Sequence, residues 1–158
     1  MELEKAKEIA VRVVEQFSPH CEKIKVAGSI RRQRPEVNDI DLVLIPSDRA
    51  MLDYNLMSLG KDGTMKMSGP KIARVAMKEI DLDVYYATEE IWATLLLIRT
   101  GSKKSNIRLA TAAQRKGWRL AASGDGLFNE KEERIAGDTE QSIFSALGIH
   151  YLEPWERD

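Results

Sequence analysis

The sequence is poor in cysteine and histidine, with one Cys21 and two histidines, His20 and His150, in 158 residues. A lone thiol excludes an internal disulfide framework and fits a reducing compartment, so a cytoplasmic location is expected. The histidines have no ligand spacing and read as structural or surface side chains. Long apolar runs are missing too. The longest, Ile91 to Ile98, stops at Arg99 and is far too short to cross a bilayer, so no membrane role is expected. The N-terminal Met1-Glu2-Leu3-Glu4-Lys5 is charged and amphipathic, unlike a secretory leader. Finally, no charge of one sign dominates: 24 Lys+Arg against 25 Asp+Glu leave a net charge of -1.

What remains is 43% apolar and 31% charged, the composition of a soluble globular chain long enough for one domain or two small lobes. The near-zero net charge hides a segregation. Residues 91 to 124 contain no acid but carry Arg99, Lys103, Lys104, Arg108, Arg115, Lys116 and Arg119. A second basic cluster, Arg31, Arg32 and Arg34, follows Lys23 and Lys25. Such fields attract polyanions whatever the total charge, without saying which polyanion.

Apolar spacing predicts a helix over residues 2–17, ended by Ser18-Pro19. Strands are expected at Lys23–Ala27, Asp39–Ile45, Thr64–Ser68, Ile72–Met77 and Ile80–Tyr86, with a helix from Asp48 to Leu59. A further helix is expected from a Thr88 cap, with Glu89 and Glu90 in its first turn, to Thr100. A basic helix then continues to Lys116, short strands follow Gly117, and a last helix spans Thr139 to Leu147. Trp155, in the tail, is expected to clamp the C-terminus.

Asp39 and Asp41 stand at i and i+2 on one expected strand, so both leave the same face, roughly 6.5–7 Å apart. Ile40, Leu42, Val43, Leu44 and Ile45 around them belong to an interior strand, where like charges are least expected without a cation to offset them. Asp81 and Asp83 repeat the arrangement. Three or four carboxylates from two strands suit two Mg²⁺ ions sharing a ligand. Upstream, Gly28-Ser29-Ile30-Arg31-Arg32 follows a strand. Glycine allows close backbone approach to an anion, and Ser29 and Arg32 add charge-assisted contacts suited to a triphosphate.

Gly28-Ser29, Arg32 and Asp39-Ile40-Asp41 together resemble the signature of the nucleotidyltransferases, and their spacing resembles the family X DNA polymerases. Thr100-Gly101-Ser102-Lys103-Lys104-Ser105-Asn106 resembles that family's Thr-Gly-Ser-x-x-x-Asn segment. Gly126-Leu127-Phe128 and the stretch from Thr139-Glu140 to Arg157 resemble its C-terminal part. The resemblance implies an α+β fold: a nucleotidyltransferase palm over 1–90, a mixed sheet with flanking helices, then a small α/β thumb over 91–158. It implies Asp39, Asp41 and Asp83 as metal ligands and catalytic residues, with Asp81 the alternative to Asp83. It places Gly28, Ser29 and Arg32 on the dNTP phosphates, Gly101 and Ser102 at the sugar, and Asn106 at the base or sugar edge. Lys66, Lys103, Lys104 and Arg108 are expected at DNA.

The activity so implied is template-directed addition of dNTPs to a primer on gapped or primed DNA, filling short gaps in repair. The cofactor is two Mg²⁺, with Mn²⁺ possible, and the chain is expected to act as a monomer. An N-terminal lyase region like that of many family members is not expected. Ile98 and Arg99 replace the aromatics on which sugar discrimination commonly rests, and Ala110 replaces a common arginine, so low fidelity is expected. The other readings are a nucleotidyltransferase acting on protein, RNA or a small molecule, and a non-catalytic nucleotide- or DNA-binding module.

Overall fold

Ala6, Ile9, Ala10, Val13 and Phe17 recur at helical spacing, and the first helix, α1 (Leu3–Phe17), buries all five. The computed structural model describes residues 1–63 and 65–158 and divides into two units, Met1–Ala87 and Thr88–Asp158.

In the first unit, α1 is followed by strand β1 (Cys21–Val26), a one-turn helix α2 (Gly28–Arg31) and strand β2 (Asp39–Pro46). Helix α3 (Arg49–Leu59) and strands β3 (Met67–Ser68), β4 (Ile72–Ala76) and β5 (Asp81–Tyr86) complete it. Asp48 starts α3 by accepting a hydrogen bond from the Met51 amide at 3.1 Å. The strands form one sheet in the order β1-β2-β5-β4-β3. β2 and β5 run parallel, and the other neighbours are antiparallel. This is the mixed sheet the resemblance implies. The strand expected over Thr64–Ser68 is confined to Met67–Ser68, and Thr64 lies outside the described residues.

Strand alternation splits this sheet into two chemically different faces. Ile40, Leu42 and Leu44 of β2, Leu82, Val84 and Tyr86 of β5, and Ala73 and Val75 of β4 join α1 and the Leu52 and Leu56 of α3 in one core. Each fully buried Leu or Ile there contributes roughly 1.5–3 kcal/mol over its exposed state. The alternate positions of the same strands put Asp39, Asp41, Asp81, Asp83 and Arg74 on the other face. Packing the helices on one side is what reserves the other for charge.

The second unit contains helices α4 (Trp92–Thr100) and α5 (Lys103–Arg115), strands β6 (Arg119–Leu120), β7 (Leu127–Phe128) and β8 (Arg134–Ala136), and helix α6 (Glu140–Ala146). Its three strands pair antiparallel in the order β6-β7-β8. Leu97, Leu109, Ala113, Leu127, Ile143 and Phe144 form its core. Two expectations need correction. Helix α4 begins at Trp92, not at a Thr88 cap: the Ile91 amide donates to the Thr88 carbonyl at 3.2 Å, so Thr88, Glu89 and Glu90 form a turn instead. And Trp155 is exposed, so it does not clamp the tail. The buried Arg157 does so, through Nη1 to Glu140 Oε1 at 3.2 Å, Nη2 to Tyr151 Oη at 3.1 Å and Nε to the Leu152 carbonyl at 3.0 Å.

Candidate active site

The polar face of the first unit is organised by strand register. Asp39 stands opposite Asp81 and Asp41 opposite Asp83 across the β2–β5 pair, and Arg74 stands opposite Asp83 across β4–β5. Asp39, Asp41 and Asp83 each bring a carboxylate oxygen within 4.8 Å of the other two. Asp81 is not in that group. Its Oδ2 accepts from Lys66 Nζ at 2.7 Å, which draws it toward the β3 side of the sheet. Asp83 is 4% exposed, while Asp39 and Asp41 are half-buried.

Two features hold Asp41 in place. The Ala27 amide donates to the Asp41 carbonyl at 2.8 Å, which joins the start of α2 to β2. Gly28, at φ +60°, then leaves room for the carboxylate: a Cβ built there would lie 2.9 Å from Asp41 Cγ and closer still to Oδ2. Ile30, buried in the core, anchors the one-turn helix from below. Ser29 lies in this turn and Arg32 caps it, its amide donating to the Gly28 carbonyl at 3.1 Å. The turn expected to meet the nucleotide phosphates therefore lies beside the acid pair of β2.

The electrostatics are those of a site short of positive charge. Burial, together with the nearby Asp83 and Asp81 carboxylates, pushes the Asp39 carboxyl above its ordinary value, and Arg74 offsets part of this. Arg74 Nε donates to Asp83 Oδ1 at 2.6 Å and Nη2 to Oδ2 at 3.2 Å. Asp39, Asp81, Asp83, Lys66, Arg74 and Met67 line a cavity of about 310 Å³. Three converging carboxylates are hard oxygen donors of the kind that hold Mg²⁺ or Mn²⁺, and a cation there would offset the repulsion that raises Asp39. Cys21 is half-buried elsewhere, and burial pushes its thiol up to about 11, which makes it a packing residue and not a nucleophile.

Lys66 was expected to face DNA, and the structure gives it Asp81 as an ion-pair partner, both side chains being about half exposed. Arg74 was not anticipated. The sequence signal for it was a single cation in the middle of the apolar strand Ile72-Ala73-Arg74-Val75-Ala76.

In the second unit, the Gly101-Ser102 peptide is cis and Ser102 caps α5, its Oγ accepting from the Ser105 amide at 3.2 Å. Asn106 Nδ2 donates to the Ile98 carbonyl at 2.9 Å, satisfying a C-terminal carbonyl of α4. One donor of Asn106 is thus turned into the protein, and a ligand would meet its remaining hydrogen or Oδ1. Lys103, Lys104 and Arg108 are exposed on α5.

The family model described as the DNA polymerase beta thumb matches residues 95–158. Over 142 residues the chain is 28% identical to the DNA polymerase/3'-5' exonuclease PolX of Bacillus subtilis, covering 88% of this chain and 25% of that protein. It is 28% identical over 142 residues to the repair DNA polymerase X of African swine fever virus, covering 85% of this chain and 80% of that protein. The chain thus spans a quarter of the first relative and four-fifths of the second. Among solved structures, Leishmania infantum polymerase beta in a ternary P/T complex superposes with a TM-score of 0.82 at 20% identity, covering 100% of this chain and 76% of that one.

Proposed function

We infer that this chain, which belongs to the family X DNA polymerases, is a template-directed repair polymerase that extends a primer 3′-hydroxyl with dNTPs across short gaps. The convergence of Asp39, Asp41 and Asp83 within 4.8 Å, beside a phosphate-binding turn, carries this reading. A binding module has no use for three converging carboxylates, whose like charges repel.

In this reading Asp39, Asp41 and Asp83 would hold two divalent cations, Mg²⁺ or Mn²⁺. When bound, these would supply a lowered pKa at the primer hydroxyl and charge neutralisation at the leaving pyrophosphate. Asp83 orients the hydroxyl and accepts its proton. Gly28, through its backbone, with Ser29 and Arg32, holds the β- and γ-phosphates so that pyrophosphate leaves in line with the attack. Gly101 and Ser102 meet the sugar, Asn106 the sugar or base edge, and Lys103, Lys104 and Arg108 the DNA backbone. The chain acts as a monomer.

Primer extension on gapped DNA with Mg²⁺ and dNTPs tests this, beside a template-free control and an Asp39→Ala/Asp41→Ala double variant. Extension that follows the template and vanishes in the double variant is expected. Asp41→Ala or Asp83→Ala alone should abolish incorporation while leaving the fold intact. Transfer without primer or template would indicate a nucleotidyltransferase acting on another acceptor, and binding without turnover a non-catalytic module.

A further inference from the structure

Asp83 is held by a side chain that the mechanism above does not use. The guanidinium of Arg74 grips it with two prongs, 2.6 Å to Oδ1 and 3.2 Å to Oδ2, and so occupies a lone pair on each oxygen along the axis of the carboxylate. The two partners differ in freedom. The Asp83 side chain is 5% exposed, fixed in the middle strand of the sheet, whereas that of Arg74 is 39% exposed at the rim of the cavity. The carboxylate cannot leave, and the guanidinium can.

We propose that Arg74 is the resident counter-cation of the metal-free site, an internal competitor that yields Asp83 when divalent cations bind. The inference rests on the two-metal reading of Asp39, Asp41 and Asp83. Charge counting around the cavity supports it. Lys66 pairs with Asp81, and Arg74 is the other cation among the residues that line the cavity, paired with Asp83. A unit charge a few ångströms from an entering dication repels it, and the repulsion is larger in a half-buried site than in open water. The same guanidinium that neutralises Asp83 therefore weakens the affinity of the three carboxylates for metal. A purely positioning arginine has the opposite effect, because removing it loosens Asp83 and weakens metal binding.

The test is Mn²⁺ binding to the purified chain without DNA or nucleotide, at fixed ionic strength, followed by electron paramagnetic resonance of free Mn²⁺. Wild type is compared with Arg74→Ala, Arg74→Gln and Arg74→Lys. The neutral variants should bind on the order of tenfold more tightly, and Arg74→Lys, which keeps the charge but loses the fork, should stay near wild type. Unchanged or weaker Mn²⁺ binding in the neutral variants overturns the proposal. Thermal melts give a second readout that tolerates a loss of stability: Mn²⁺ should raise Tm more in the neutral variants than in wild type, and an equal or smaller rise also overturns it. Wild type that binds no Mn²⁺ strikes the two-metal reading itself. Normal wild-type binding without a gain in the variants removes only the role of Arg74.

Discussion

Asp41 occupies the space that a side chain on Gly28 would need: its Cγ lies 2.9 Å from an ideal Cβ built at that glycine, whose φ is +60°. The glycine that opens the turn proposed to hold phosphates and the aspartate that would hold metal are thus a single steric unit. Gly28→Ala should displace the Asp41 carboxylate and cost roughly 1–2 kcal/mol for a left-handed alanine. A displacement on the order of 1 Å at a reacting centre lowers turnover about a hundredfold. Steady-state gap filling, with a denaturant melt to confirm the fold, checks both numbers. Wild-type turnover in Gly28→Ala would show that the acid and the turn are not coupled.

Asp39 carries the cost of the cluster. Its folded pKa lies above the 3.8 of a free aspartate, chiefly through burial and then the charge of Asp83, so its ionised form destabilises the metal-free fold. The sign follows: the penalty is fully present above the folded pKa, shrinks as pH falls through it, and is gone below 3.8. In EDTA, Asp39→Asn should therefore melt a few degrees above wild type at pH 7. The gap should close as the solution is acidified toward pH 3.8, and the variant should be inactive at every pH. A variant that melts below wild type at pH 7 would mean that Asp39 is held by favourable contacts that outweigh the repulsion.

The acid pair on β2 was legible in the sequence because charge inside an apolar strand is conspicuous, and because strand alternation places Asp39 and Asp41 on one face. Which acid of β5 joins them was not legible in strand alternation, since Asp81 and Asp83 share a face; the resemblance put Asp83 first, and the Lys66 and Arg74 pairings, set by the register of β3, β4 and β5, separate the two acids. Register is a long-range property, and local patterns are blind to it. The Thr88-Glu89-Glu90 sequence looked like a helix start for a related reason: it has the composition of a cap and an acidic first turn. The backbone spends those residues on a turn instead, and the helix waits for Trp92. Ser102 and Thr139, by contrast, do cap the helices they precede.

The tail of the second unit depends on the buried pair Arg157–Glu140, supported by Tyr151 and by the ring of Phe144, 5.4 Å from the guanidinium. Removing one member of such a pair leaves the other charge buried and uncompensated. Arg157→Ala should lower the unfolding free energy of the second unit by about 3–5 kcal/mol. Arg157→Lys should rescue little of it, because an ammonium cannot reach Glu140, Tyr151 and the Leu152 carbonyl from one position. Urea denaturation followed by tryptophan fluorescence measures this. A loss below about 1 kcal/mol would place the pair among those that contribute no more than an exposed salt bridge.

Binding to DNA should be weak and strongly salt-dependent, because a net charge of -1 leaves affinity to local basic faces alone. Lys103, Lys104 and Arg108 are exposed on α5, and the contact of Arg108 to the backbone oxygen of Asp158 is a long one, 3.5 Å, which a phosphate can replace at little cost. Each of these residues that meets a phosphate should, on substitution by alanine, weaken binding evenly across sequences and reduce the slope of log K against log salt by about 1. Lys66 should behave differently. Its ammonium already holds Asp81 at 2.7 Å, so a phosphate must displace that carboxylate and leave it facing the DNA backbone. Lys66→Ala should therefore change the slope less than Lys103→Ala, and Asp81→Asn, which frees the ammonium, should raise affinity for gapped DNA. Fluorescence anisotropy over a salt series separates the two behaviours. An equal slope change for Lys66→Ala and Lys103→Ala, with no gain from Asp81→Asn, would mean that the ion pair is already broken when DNA is bound and exerts no control over it.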